Sequence, residues 1–224
     1  ILNLTLNLTL NLTLILTLTL TLPAIREIWR PGYYAMHDDL QVMRQLEMDK
    51  CFRDGQIPCR WVPDMGFGYG FPLFNYYPPM PYLLGQALSL FGLSYFTTVK
   101  IVFTLAFFAS AVGMFILANH FFGSLAGLTA SIFYIYAPYH ATDLYVRGAV
   151  NETWAIAWYP FILLGIVRVV SQPQLKNIIY LTFFVAMLML SHNPMLMIFA
   201  PFALVWTAFW LWQRKTIKPV LHLT

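Results

Sequence analysis

Charge in this chain is confined mostly to one loop, and that confinement limits what it can fold into. The sequence has 13 Lys or Arg and 9 Asp or Glu, and thirteen of these side chains fall between Arg26 and Asp64. From Pro78 to near the C-terminus the chain is almost free of charge. Over 224 residues it is 59% hydrophobic and only 10% charged, with a mean hydropathy of +0.65, against about 25% charged residues in soluble domains. A soluble fold of this length cannot hide so much apolar surface, so the solvent of most of the chain is lipid. The net charge of +4 does not signal nucleic acid, because no basic patch with interleaved aromatics accompanies it. It reads instead as membrane topology.

Residues 1–22 repeat Leu-Asn-Leu-Thr and then Leu-Thr. Strict alternation favours a strand, but about 20 uncharged residues suit a membrane helix, and a lone strand cannot cross lipid with its backbone unpaired. Threonine is tolerated there because its hydroxyl bonds back to the preceding turn. The stretch is therefore expected to span, which makes its Asn-Leu-Thr sequons at Asn3, Asn7 and Asn11 irrelevant. Residues 23–95 form a long loop. Within it, Asp38 or Asp39 is placed to cap a helix from about Leu40 to Arg53, stopped by Gly55. Leu40, Met43 and Leu46 share one face, as in a helix lying on a membrane surface. The Gly66-Phe67-Gly68-Tyr69-Gly70 run permits tight turns and is not a phosphate loop, since no strand precedes it. Segment 79–93 is apolar but short for a span.

The remaining apolar segments are 96–118, 123–139, 153–170, 177–191 and 195–212. With 79–93 as a re-entrant or interfacial helix, Arg168, Lys176, Arg214, Lys215 and Lys218 all fall on the cytoplasmic side. If 79–93 spanned, all five would lie outside, against the positive-inside rule. The expected fold is thus an all-α integral membrane bundle of about six transmembrane helices with a long outer loop carrying surface helices. The long loop, the Tyr139–Asn151 connection and the His192-Asn193 corner then share the outer face. There Asp38, Asp39, His140, Asp143, Arg147, Glu152 and His192 can meet, and polar groups at membrane depth are functional candidates.

Each cluster has a structural alternative. His37-Asp38-Asp39 offers carboxylates able to take a proton from a hydroxyl or hold a divalent cation, or simply a helix cap. Arg147 has the fork geometry for a phosphate, but Asp143 and Arg147 also have the i,i+4 spacing of an internal ion pair. His192 can be a ligand or a capping residue. The aromatic run Phe71, Phe74, Tyr76, Tyr77 and Tyr82 can stack on sugars or form an interfacial belt. Cys51 and Cys59, the only cysteines, both lie in the outer loop, where an oxidising compartment permits a bridge. They make no zinc site.

Taken in order, the blocks Gly55-Gln56-Ile57-Pro58-Cys59-Arg60-Trp61, Gly68-Tyr69-Gly70-Phe71-Pro72-Leu73-Phe74, Tyr77-Pro78-Pro79-Met80-Pro81-Tyr82, Tyr136-Ala137-Pro138-Tyr139, Asp143-Leu144-Tyr145-Val146-Arg147-Gly148 and Ser191-His192-Asn193-Pro194 resemble the bacterial membrane proteins termed 6-pyruvoyl-tetrahydropterin synthase-related. These are similar in turn to the GT-C glycosyltransferases. The resemblance runs from about Met36 to Pro194. It implies a sugar donor carried on a polyprenyl phosphate, a catalytic acid at Asp38 with Asp39 as alternative, and a second functional acid near Asp143. His37, Asp143, Arg147, Glu152 and His192 become substrate-binding candidates, with Arg147 facing the lipid phosphate and Asp38 and Asp143 as candidate ligands of a divalent cation. It further implies a bacterial inner-membrane location with the active face periplasmic or extracellular. No pterin chemistry follows, because no histidine triad is visible. Such enzymes usually have more spans, and the chain starts without Met, so it is expected to be an N-terminal portion of a longer protein. The rival expectation is a non-catalytic transporter or assembly subunit for lipid-linked polymers. A transporter should show repeated Gly- or Pro-broken helices, and only 79–93 is broken.

Overall fold

The computed structural model describes residues 2–33 and 35–214, with side chains from residue 8 onward. Lys215 and Lys218 lie outside the described residues. Among the described residues ten α-helices carry the fold: α1 Leu2–Ile25, α2 Gln41–Arg53, α3 Leu73–Tyr76, α4 Met80–Ser89, α5 Tyr95–Phe122, α6 Ser124–Ile135, α7 Pro138–Ala141, α8 Val150–Ser171, α9 Leu175–Ser191 and α10 Asn193–Arg214. A 3-10 turn, Arg26–Trp29, follows α1, and a π-helical turn, Thr142–Arg147, precedes α8. The described residues contain no strand, only an isolated antiparallel bridge between Val62 and Phe71.

Among the described residues four helices are long and apolar enough to cross a membrane: residues 8–29, Tyr95–Phe122, Val150–Ser171 and Asn193–Arg214. The other two apolar helices are shorter. The 12 residues of α6 reach about 18 Å and the 17 of α9 about 25 Å, against a hydrocarbon core of about 30 Å. The expected segment 123–139 is interrupted because Pro138, which lacks a backbone N–H, starts a separate turn.

The Leu/Thr alternation of α1 is compatible with a helix because the threonines recur every fourth residue. Thr13, Thr17 and Thr21 form one buried stripe. Their hydroxyls donate to the carbonyls of Thr9, Thr13 and Thr17, and Thr17 Oγ1 meets Ser131 Oγ on α6 at 3.4 Å. Leu8, Leu12 and Ile15 face outward. Helix α8 is the centre of the bundle, with 72% of its spanning window buried against 11% for α10. Aromatic stacking joins it to its neighbours: Tyr159 lies 4.0 Å from Phe199 of α10, and Phe161 4.5 Å from Phe184 of α9.

The long loop is a packed layer rather than a tether. Lys100, buried near the start of α5, donates to the carbonyls of Arg30 and Gly32 at 2.8 and 2.7 Å. Cys51 and Cys59 form a disulfide with a Cα separation of 5.4 Å. Helix α2 departs from its expected orientation. It buries Gln41, Gln45, Met48 and Asp49 and leaves Leu40 exposed. The polar face turns inward because it finds partners there: Gln41 meets Gly148 and Tyr82, Gln45 meets the Tyr82 carbonyl, and Asp49 accepts from Gln86 on α4 and Tyr95 on α5. A buried polar group so satisfied costs little.

Candidate functional site

Three connections that are distant in sequence meet at one end of the bundle. The backbone N–H groups of His37 and Asp38 donate to the carbonyls of Val146 and Arg147, both at 2.9 Å, and so clamp the long loop onto the turn before α8. Gly148 makes this possible. Its φ of +63° is left-handed, and a Cβ there would lie 2.0 Å from Met36 Sδ and 3.0 Å from the Asp38 carbonyl. Asn151, at the start of α8, donates to the carbonyls of Pro78 and Ser191 at 2.7 and 2.9 Å, which draws in the α9–α10 corner. The result is a cleft of about 310 Å³ lined by His37, Asp38, Tyr77, Arg147, Ala149, Asn151, Glu152 and His192.

Asp38 does not cap α2. The residue at the cap position is Leu40, and no side chain bonds the first turn. The Asp38 carboxylate instead accepts from Arg44 at 2.7 Å and Gln41 at 3.0 Å, with Tyr77 Oη at 3.5 Å. All three reach Oδ2, and Oδ1 takes no hydrogen bond from the described residues. The structural alternative for Asp38 is thereby removed, although an ion pair replaces it. Arg44 also lies 4.4 Å over the Tyr77 ring. Burial raises the Tyr77 pKa, with Arg44 opposing, so Tyr77 presents a hydroxyl rather than a phenolate. Asp39 is exposed and does not line the cleft.

Across the cleft, Arg147 Nη1 serves Asp143 Oδ1 at 2.8 Å, Glu152 Oε2 at 2.7 Å and Tyr139 Oη at 3.1 Å. Tyr139 also donates to Glu152. The hydrogen bond to Glu152 is the largest of the effects that raise the Arg147 pKa, so this guanidinium stays charged. Its side chain is 42% exposed and lines the cleft. Asp143 is fully buried beneath it, and its Oδ2 has no partner among the described residues. Burial, reinforced by the Glu152 charge and opposed by Arg147, pushes the Asp143 carboxyl up to about 7. The expected i,i+4 ion pair is present, and Asp143 supports Arg147 from behind rather than lining the cleft. His192 Nδ1 accepts from the Met195 amide at 3.2 Å and so caps α10. The neutral ring then carries its proton on Nε2. Burial lowers its pKa, with Glu152 acting against that and Arg147 with it, so it is a neutral donor at pH 7.

Besides Asp39 and Asp143, two further expected placements do not hold. His140 is not in the cleft; it is buried edge-on against Phe107 and Tyr134, and burial pushes its pKa down to about 4. The aromatic run divides, with Phe74 and Tyr82 in the core, Tyr77 in the cleft, and Phe71 and Tyr76 exposed. Among the described residues no group of three or more His, Cys, Asp or Glu is arranged to hold a metal ion. Sequence reasoning missed Gln41, Arg44 and Asn151. The first two were signalled only as polar residues three and six positions after Asp38, because the inward orientation of their helix depends on partners from other segments. Asn151, whose Oδ1 is buried without a partner, was detectable only as an uncharged polar residue beside Glu152.

The family described as "6-pyruvoyl-tetrahydropterin synthase related domain; membrane protein" matches residues 74–223, about two thirds of the chain. The chain belongs to this membrane-protein family. The matched region contains Tyr77, Arg147, Asn151, Glu152 and His192 but begins after His37 and Asp38. The chain is also similar to an uncharacterized protein of Lactococcus lactis subsp. cremoris (strain MG1363), 20% identical over 196 residues, covering 85% of this chain and 32% of that protein. It therefore spans about a third of that relative's length. No solved structure matches.

Proposed function

We propose that this family member is a GT-C-like glycosyltransferase, or part of one, that moves a sugar from a polyprenyl-phosphate donor to an acceptor hydroxyl. The observation that carries the reading is Asp38. Its carboxylate lines the cleft, caps nothing, and has one oxygen fixed by Arg44 and Gln41 while the other takes no hydrogen bond from the described residues. In the proposed step the acceptor oxygen bonds to the sugar C1 as the bond from C1 to the phosphate oxygen breaks. Asp38 Oδ1 takes the hydroxyl proton, and the polyprenyl phosphate leaves with the bonding pair. Arg147 faces that phosphate, His192 Nε2–H and Tyr77 Oη hydrogen-bond substrate oxygens, and catalysis is mainly positioning and electrostatics. A divalent cation would have Asp38 as its ligand in the cleft, with Asp143 screened from it by Arg147.

In this reading the shorter helices α6 and α9 also cross, giving six passes through a bacterial plasma membrane with the cleft on the outer face. The support is electrostatic: Arg168, Lys176 and Arg214 occupy the helix ends remote from the cleft, as the positive-inside rule favours for a cytoplasmic side. The other reading is a non-catalytic subunit that moves or assembles lipid-linked polymers. It is favoured by the fact that Asp38 and Arg147 already have salt-bridge partners. Transfer of radiolabelled sugar from polyprenyl-phosphate donors, in membranes carrying the wild-type or Asp38→Asn protein, separates the two. Loss of transfer in a well-expressed Asp38→Asn protein is expected. Equal transfer removes Asp38 from catalysis, and no transfer from any donor in the wild type favours the non-catalytic subunit.

A further inference from the structure

A second cavity is at the opposite end of the bundle. It encloses about 500 Å³ between the C-terminal ends of α5 and α8 and the start of α9, and His120, Arg168, Ser171, Lys176, Asn177 and Tyr180 line it. That size is within the range of about 300–1,000 Å³ typical of small-ligand sites. Its charge is one-sided. All nine carboxylates of the sequence occur at or before Glu152, and among the described residues neither Arg168 nor Lys176 makes an ion pair. Arg214 donates to Ser171 at 3.1 Å, which brings a third cation to the rim. Arg168 and Lys176, cations at the edge of lipid with no counter-charge among the described residues, favour an anion there.

The cavity is shaped as well as charged. The Arg168 guanidinium lies 4.7 Å over the Tyr180 ring, a stacked arrangement that leaves its N–H edge to meet phosphate oxygens in a fork. The turn between α8 and α9 is held by Asn177, which donates to the Gln172 carbonyl at 2.8 Å. Beside the cavity, Leu175, Ile179 and Phe183 are all exposed and stand at i, i+4 and i+8 on one face of α9. An acyl chain lying along that stripe would bring its headgroup to Lys176.

We infer that this cavity binds the phosphate headgroup of an anionic membrane lipid, with Arg168 and Lys176 as its ligands and the Leu175–Ile179–Phe183 stripe as the seat of an acyl chain. The site is separate from the outer cleft and does not depend on the chemistry proposed there.

The test is lipid binding by the purified chain in neutral detergent, read by native mass spectrometry, with phosphatidylglycerol, phosphatidylcholine and inorganic phosphate as separate probes. Saturable binding of phosphatidylglycerol in preference to phosphatidylcholine is expected. It should weaken roughly tenfold in Arg168→Gln, as for loss of a charge-assisted fork, and by less in Lys176→Gln and Arg168→Lys. Lys176 is exposed, so its variant keeps the test sound if Arg168→Gln fails to fold. The control Arg60→Gln, in the outer loop, should bind as wild type. Equal binding of both lipids, or unchanged binding in both Gln variants, overturns the inference. Full displacement of the lipid by excess inorganic phosphate reassigns the site to a soluble phosphate and overturns the lipid assignment.

Discussion

Replacing Gly148 with alanine tests how the cleft is assembled, because this one residue carries both a backbone and a packing requirement. Its φ of +63° costs an alanine about 1–2 kcal/mol. The added Cβ would also fall 2.0 Å from Met36 Sδ and 3.0 Å from the Asp38 carbonyl. The Met36 thioether can rotate away, but the Asp38 carbonyl is main chain and must shift by a few tenths of an ångström. The movement falls on the two hydrogen bonds that seat the loop, from the His37 and Asp38 amides to the carbonyls of Val146 and Arg147. Losing their alignment adds roughly 1 kcal/mol, for a total of about 2–3 kcal/mol. Gly32 is the control. Its φ is +81° and an added Cβ would meet nothing within 4 Å, so Gly32→Ala has only the backbone cost of about 1–2 kcal/mol. Amide hydrogen exchange separates the two. Gly148→Ala should speed exchange at His37 and Asp38, and Gly32→Ala should leave those amides as protected as in wild type. Equal protection at both amides in Gly148→Ala would refute the idea that this glycine docks the catalytic candidate.

The Asp143 carboxyl gives a pH dependence of definite sign. The folded chain holds its proton up to about pH 7 and the unfolded chain releases it near 3.8, so between those values unfolding releases a proton and stability falls as pH rises. Asp143→Asn should flatten that slope, which unfolding midpoints measured across the window will show. The Cys51–Cys59 bridge, with a sequence separation of 8, should contribute about 2–3 kcal/mol by the chain-entropy estimate. Reductant should therefore lower the unfolding midpoint, and thiol blocking of unreduced protein, read by mass, should label neither cysteine.

Legibility followed the range of the physics involved. The lipid-facing character of the helices is a property of local composition, and it was plain in runs such as 195–212 and in the charge gap after Pro78. The convergence of three connections at one end also followed from alternation of direction, without any contact being known. Even the i,i+4 pair of Asp143 and Arg147 was visible, because helical neighbours are set by spacing. The orientation of α2 was not. Leu40, Met43 and Leu46 make the apolar face by pattern, yet Gln41, Gln45 and Asp49 are the residues buried. Their partners are Tyr82, Gln86, Tyr95 and Gly148, which come from other segments, and no periodicity within 40–53 encodes them. His140 failed for the same reason, since its ring is held by Phe107 of a different helix.

The two ends of the bundle are electrostatic opposites, and this asymmetry separates their roles. At the cleft end the acids of the site are matched by cations: Asp38 by Arg44, and Asp143 and Glu152 by Arg147. A matched network in a low-dielectric setting is rigid and holds its members in one geometry, which suits the positioning role proposed for the cleft. At the other end Arg168 and Lys176 meet no carboxylate among the described residues, which is the basis for the anionic-lipid site inferred there. Substitution should therefore act differently at the two ends. Removing Arg147 leaves the buried Asp143 and Glu152 without their cation and lowers stability, and removing Arg44 takes the cation from the half-buried Asp38. Removing Arg168 or Lys176 strands no carboxylate among the described residues, so the change should appear mainly in lipid binding.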